Sequence, residues 1–130
     1  MPRILSAQMT ELGDDFLALA QAVGNYRMEN RPMLSKSQNL QIKDLHWTLL
    51  SYADDFYTGS VKLVMDEIQS SLARIREISI NINKTIKKLQ NFQKAIDIAA
   101  AAVTLASAIF SKNPVAINKA IEAFEKSIKP

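Results

Sequence analysis

The side chains able to do chemistry in this sequence are few, and their spacing does not bring them together. There is one histidine, His46, and no cysteine, so a zinc site of the usual kind lacks ligands. A di-iron helical bundle draws on paired Glu-x-x-His stretches, and the sequence has none. Carboxylates stand side by side at Asp14-Asp15 and at Asp54-Asp55. Neighbours on a helix diverge by about 100°, so neither pair converges on one atom, and both read as a solvated face. No glycine-rich phosphate loop and no nucleophile elbow is present. His46 flanks an apolar stripe and reads as a packed or rim residue. The expectation is a protein that is not an enzyme, with no catalytic residue, cofactor, metal or small-molecule substrate.

The remaining polar feature is basic. Lys84, Lys87, Lys88 and Lys94 form the densest run of cations, with Arg74 and Arg76 upstream. They are candidates for contact with a polyanion or a membrane surface. No aromatics interleave with them and no helix-turn-helix pattern accompanies them, so a solvated outer face is expected and nucleic acid is not. The whole chain carries a net charge of +3. Residues 1–58 hold five Lys/Arg against seven Asp/Glu, and residues 59–130 hold eleven against six. That asymmetry suits either an acidic or membrane partner for the second half, or attraction between the two halves.

The elements that position these groups are helices. Three Gly and four Pro in 130 residues argue for long helices and against a turn-rich β fold. Hydrophobic residues at 48% and charged residues at 22% suit one folded domain spanning 1–130. Leu5, Met9, Leu12, Phe16, Leu19, Val23 and Tyr26 recur at steps of four and three, one stripe on a helix over about 4–30. Arg31-Pro32 ends it, since the residue before proline leaves the α region. Ser35 and Gln38 fit a capping box opening a helix over about 35–58, with a stripe of Ile42, Leu45, Leu49, Tyr52 and Phe56. A connection of about four residues makes the two an antiparallel hairpin, and Gly59 supplies the next turn.

From Ser60 to Lys112 there is neither Gly nor Pro. Val61, Ile68, Ile75, Ile82, Leu89, Ile96, Val103 and Phe110 fall every seven residues, joined by Val64, Ile78, Phe92 and Ala99 and by Met65, Leu72, Ile86 and Ala100. This heptad seam predicts a third helix over about 60–111, on the order of 75 Å long. The alternative is a break near Gln90-Asn91, where helix formers are weakest. The unbroken phase favours the continuous helix. Asn113 as cap, Pro114 at the first turn and the stripe Ile117, Ile121, Phe124, Ile128 mark a last short helix over 114–128. The fold class is therefore an all-α helical bundle.

Two surfaces exceed what such a bundle needs. On the second helix, Leu40 and Trp47 lie seven apart and face away from the Ile42/Leu45/Leu49 stripe, with Leu50 and Tyr57 extending that face. A helix apolar over so much of its girth is either central or covered by a partner. The second surface is Ala95–Phe110, whose single charge is Asp97. Its sixteen residues fall short of the ~20 that span a bilayer, and its alanines permit close helix–helix approach.

These features point to a non-enzymatic protein–protein interaction module, such as an adaptor, an immunity-type inhibitor or an assembly factor. Its interface would draw on Leu40, Trp47, Leu50, Tyr57, Ile96, Val103 and Phe110, and self-association along the heptad seam makes a homo-oligomer or a protein partner the expectation. The other reading is membrane activity through segment 95–110. In layout, residues 60–128 resemble α-helical pore-forming toxins: a long amphipathic rod, an Ala-rich apolar segment and a terminal amphipathic helix. That resemblance implies lipid contact. The first residues, Met1-Pro2-Arg3-Ile4-Leu5, lack the apolar run of a signal peptide, so the cytoplasm is the expected compartment.

Overall fold

A computed structural model describes residues 2–58, 65–87, 89, 91–111 and 113–128, with side chains for 9–58, 73–82, 85–86, 89, 91–111 and 113–128. Within these residues the protein is all α-helical. It comprises α1 (Pro2–Asn30), a 3-10 turn (Arg31–Met33), α2 (Lys36–Tyr57), α3 (Met65–Lys87), α4 (Phe92–Ser111) and α5 (Pro114–Ile128). The helices close a ring: α1 packs on α2 and α3, α2 on α4, α4 on α5, and α5 back on α3. One continuous apolar core fills it, with contributions from all five helices.

The sequence stripes become that core. Met9, Leu12, Phe16, Leu19, Val23 and Tyr26 are all buried on α1. On α2, Ile42, Leu49 and Phe56 are buried while Leu45 and Tyr52 pack at the margin. On α5, Ile117, Ile121 and Phe124 are buried, with Ile128 beside them. Phe16 stacks on Phe56 with centroids 5.2 Å apart, joining α1 to α2. The capping box at Ser35 is complete: its hydroxyl accepts from the Gln38 amide, and the Gln38 side chain accepts from the Ser35 amide. At the far end, the Asn113 side chain accepts from the Val115 and Ala116 amides and starts α5.

The α1–α2 hairpin is tight because two glycines let side chains lie on the α1 backbone. A Cβ at Gly13 would sit 2.6 Å from the Tyr57 ring, and one at Gly24 would sit 2.8 Å from Nε2 of His46. Both spacings are eleven residues, three helical turns, so the two contacts repeat along one antiparallel register. Arg27 Nε, donating to the Asn39 side chain at 2.8 Å, continues it.

The long third helix does not exist: α3 ends at Lys87 and α4 begins at Phe92. The Asn91 side chain accepts from the Lys94 amide and the Asn91 carbonyl accepts from the Ala95 amide, so Asn91 caps α4. Tyr26, buried on α1, donates its hydroxyl to the Leu89 carbonyl at 3.0 Å, satisfying an acceptor freed by the break, and its ring meets Phe92 edge-on at 6.4 Å. The seam's phase is misleading for a physical reason. In α3 its members Ile75, Ile78, Ile82 and Ile86 are buried. In α4 the deepest line is Ala95, Ala102 and Ile109 with Ile98, Leu105, Ala99 and Ala106, about one residue, or 100°, off the series. The apolar side of α4 is wide enough to take the shifted phase, so the seven-residue spacing does not report where a turn has been inserted. Within the seam, Val61 and Val64 lie outside the described residues, as does Gly59, and the side chains of Leu5, Met65, Ile68 and Leu72 are outside them too.

Candidate interaction face

The bundle closes its core without the outer face of α2. Trp47 is 59% exposed and Leu40 49%, on the side of α2 turned away from Ile42, Leu49 and Phe56. Leu50 is half-buried between that face and the core. Helix two is therefore not the central helix of the bundle, and the apolar face named from sequence stands in solvent. His46 lies behind it, with its ring 5.6 Å from the Trp47 ring and its edge over Gly24. Burial, with the Arg27 charge adding, holds the His46 pKa below its ordinary value, so the imidazole is neutral near pH 7.

Tyr57 bounds the face at the C-terminal end of α2. Its ring covers Gly13 and its hydroxyl donates to Asp14. Desolvation and that carboxylate, with Asp15 behind, push its pKa up to about 12. The neighbouring carboxylate turns the other way. Ser79, buried on α3, lies 3.2 Å from Asp15 Oδ1 and 2.8 Å from the Arg76 carbonyl. A hydroxyl has one proton and gives it to one of the two at a time. Burial lifts the Asp15 pKa to about 6, against smaller opposing effects of the Ser79 hydrogen bond and the Arg76 charge. The Asp14-Asp15 pair thus divides between α2 and α3, each carboxylate fastening α1 to a different neighbour.

Of the other residues of the expected interface, Ile96 is buried and Val103 and Phe110 are half-buried. Ile96 is 5% exposed in the core. Val103 and Phe110 pack against it, and Phe110 lies 5.2 Å from the Tyr52 ring and 4.9 Å from the Phe56 ring. Among the described residues, the seam positions of α3 and α4 face α1, α2 and α5 of the same chain. Of the basic candidates, the side chains of Lys84, Lys87 and Lys88 lie outside the described residues, and Lys94 is half-buried at the start of α4.

α4 is 20 residues long, four more than the apolar segment read from sequence, and by length and composition it could cross a bilayer. Its exposed positions are all polar: Gln93, Asp97, Thr104, Ser107 and Ser111. A shallow groove of ≈ 300 Å³ between α3 and α5 is lined by Arg74, Glu77, Ile78, Asn81, Glu125 and Ile128, with Arg74 and Glu125 paired across it. Among the described residues no three His, Cys, Asp or Glu side chains gather where they could hold a metal ion.

Sequence reasoning found the apolar members of the α2 face but passed over its charged ones. Lys36, Lys43 and Asp54 are exposed and share the stripe of Leu40, Trp47 and Leu50. Their signal was available as the same alternation of steps of four and three. Compared with known proteins, the chain matches no family model, no curated protein and no solved structure.

Proposed function

We propose that this chain is a non-enzymatic helical interaction module, in the class of adaptors, immunity-type inhibitors and assembly factors, that works by presenting the outer face of α2 to a protein surface. The observation that carries the reading is Trp47, 59% exposed on a helix whose opposite side already completes the core. Large aromatics are costly to leave in water and are frequent anchors of protein interfaces. The test is sizing of the tagged full-length chain in native extract of its source cells. A complex heavier than the 14.5 kDa chain, lost with Trp47→Asp but kept with Ile80→Asp, supports the reading. Ile80 is the control because it is 64% exposed on α3, away from the face. A chain at monomer mass in the extract refutes it.

A second reading, membrane activity, is favoured by the length and apolar composition of α4. In the bundle α4 buries eight residues, so lipid contact would require it to leave the ring. Co-sedimentation with anionic vesicles that Val103→Asp abolishes and Trp47→Asp spares would favour this reading over the first.

A further inference from the structure

We infer that the outer face of α2 is a two-fold interface for a second copy of this chain, docked antiparallel along that helix. The inference rests on the interaction reading above and names its partner. Lys36, Leu40, Lys43, Trp47, Leu50 and Asp54 follow one another at steps of four, three, four, three and four. That alternation is the seam of a coiled coil, a single line down one side of the helix. Five of the six are exposed and Leu50 is half-buried. In order along the helix the line reads cation, leucine, cation, tryptophan, leucine, anion.

Such a line is self-complementary in one orientation. Antiparallel seams pair the first kind of position on one helix with the second kind on the other. Here that pairing sets Lys36 against the second copy's Asp54, Leu40 against its Leu50, and Lys43 against its Trp47. A two-fold axis repeats each pair, so six contacts follow from three. The lysine–aspartate pairs close both ends. The leucines fill the layer inside them, and each Lys43 ammonium lies over an indole face, a favourable cation–π placement. The parallel orientation instead sets Lys36 on Lys36 and Asp54 on Asp54, which like-charge repulsion disfavours. Among the described residues, Lys36, Lys43 and Asp54 make no ion pair within the chain, which leaves their charges available across an interface. Tyr57 is the next station on the line but is held over Gly13 by its hydrogen bond to Asp14, so the seam stops at Asp54.

Charge reversal tests the pairing, with sedimentation velocity of the full chain over a range of concentrations as the readout. The wild-type chain should reach twice the 14.5 kDa monomer mass. Lys36→Asp alone sets aspartate against Asp54, and Asp54→Lys alone sets lysine against Lys36, so each should weaken the dimer by about tenfold or more. The double variant restores both pairs and should restore the dimer. Both changes suit the helix dipole, an anion at the start of α2 and a cation in its last turn, so the fold is kept. Trp47 is the only tryptophan, and its emission should shift to the blue as the dimer forms. A wild-type monomer at every concentration overturns the inference. So does a dimer indifferent to the reversals, or one that the double variant fails to restore. A purified monomer that is nonetheless found in a heavier complex in native extract, by the Trp47-dependent criterion above, refutes the dimer and leaves the interaction reading standing. A monomer in both refutes both.

Discussion

Asp15 is an ionisable group that the fold disfavours in its charged form, and replacing it should make the protein more stable. Burial between α1 and α3 raises its pKa from 3.8 to about 6. A tenfold change in proton affinity corresponds to about 1.4 kcal/mol, so the ceiling is about 3 kcal/mol. Asp15 is only partly withdrawn from water, and solvent screening reduces the figure to about 1 kcal/mol. The sign follows from linkage. The folded pKa lies above the unfolded one, so the folded state binds the proton more tightly. The penalty is fully present above about pH 6 and disappears as pH falls through 3.8. Asn cannot ionise, and its amide can donate to the Ser79 hydroxyl while that hydroxyl donates to the Arg76 carbonyl. Asp15→Asn should therefore raise the stability at pH 7 by about 1 kcal/mol, about 4 °C in Tm for a chain of this length. At pH 4 the gain should fall below half, and by pH 3 it should be nearly gone. His46, whose lowered pKa makes acid destabilising, contributes equally to both proteins and cancels in the difference. Paired thermal melts followed by far-ultraviolet circular dichroism give the answer. A variant less stable than wild type at pH 7, or one with the same gain at pH 7 and pH 3, would refute the argument that desolvation dominates at this site.

Four further outcomes follow from the packing. Leu49→Ala, at a site with no exposed surface, should cost about 2–5 kcal/mol in denaturant titration. Trp47→Ala, two residues away, should cost under about 1 kcal/mol at a dilution where the chain is monomeric, because it empties no core site. Tyr26→Phe removes the donor to the Leu89 carbonyl and should lower stability by about 1 kcal/mol, with faster amide exchange around the α3–α4 turn. Gly13→Ala forces the Tyr57 ring off the α1 backbone and so breaks its bond to Asp14. In a double-mutant cycle, Tyr57→Phe should then cost measurably less in the Gly13→Ala background than in wild type.

How far the sequence speaks for the fold depends on whether a helix has two different sides. α1 and α5 each alternate apolar and polar residues, so one phase alone buries the right set, and α2 carries its core line at Ile42, Leu49 and Phe56 beside a second apolar line. Their stripes, and the caps at Ser35 and Asn113, were legible for that reason. α3 shares the property through Ile75, Ile78, Ile82 and Ile86. α4 shares it less sharply: from Ala95 to Val103 only Asp97 is polar, so its apolar side is wide and small alanines hold stations on more than one phase. A heptad continued through Ile96, Ala99, Ala100 and Val103 meets no polar station, and the weak helix formers at Gln90-Asn91 were outweighed by a regularity that the turn leaves undisturbed. The break also depends on Tyr26, more than sixty residues upstream, and no local window contains that hydrogen bond. The face on α2 was half legible. Leu40 and Trp47 lie seven apart, which put them on one side, but only the packing of α1 and α4 against α2 determines that this side is left outside.

The two seven-residue patterns in this chain obey one rule with opposite results. Along α3 most stations are isoleucine, and a line of that kind has no tolerable position in water, so the fold turns it inward against α1 and α5. Along the outer side of α2 the stations alternate lysine with leucine and tryptophan and end in aspartate. The charges keep that line soluble as a monomer and forbid it the core, since burying an unpaired lysine is far costlier than burying a leucine is favourable. They also specify what it can meet. An apolar stripe alone would accept any greasy helix, whereas a stripe with a cation at one end and an anion at the other selects a partner of reversed order. The nearest source of a reversed stripe is the same helix turned end for end, which is why Lys36 and Asp54, rather than Trp47, are the residues that decide between a second copy of this chain and any other protein.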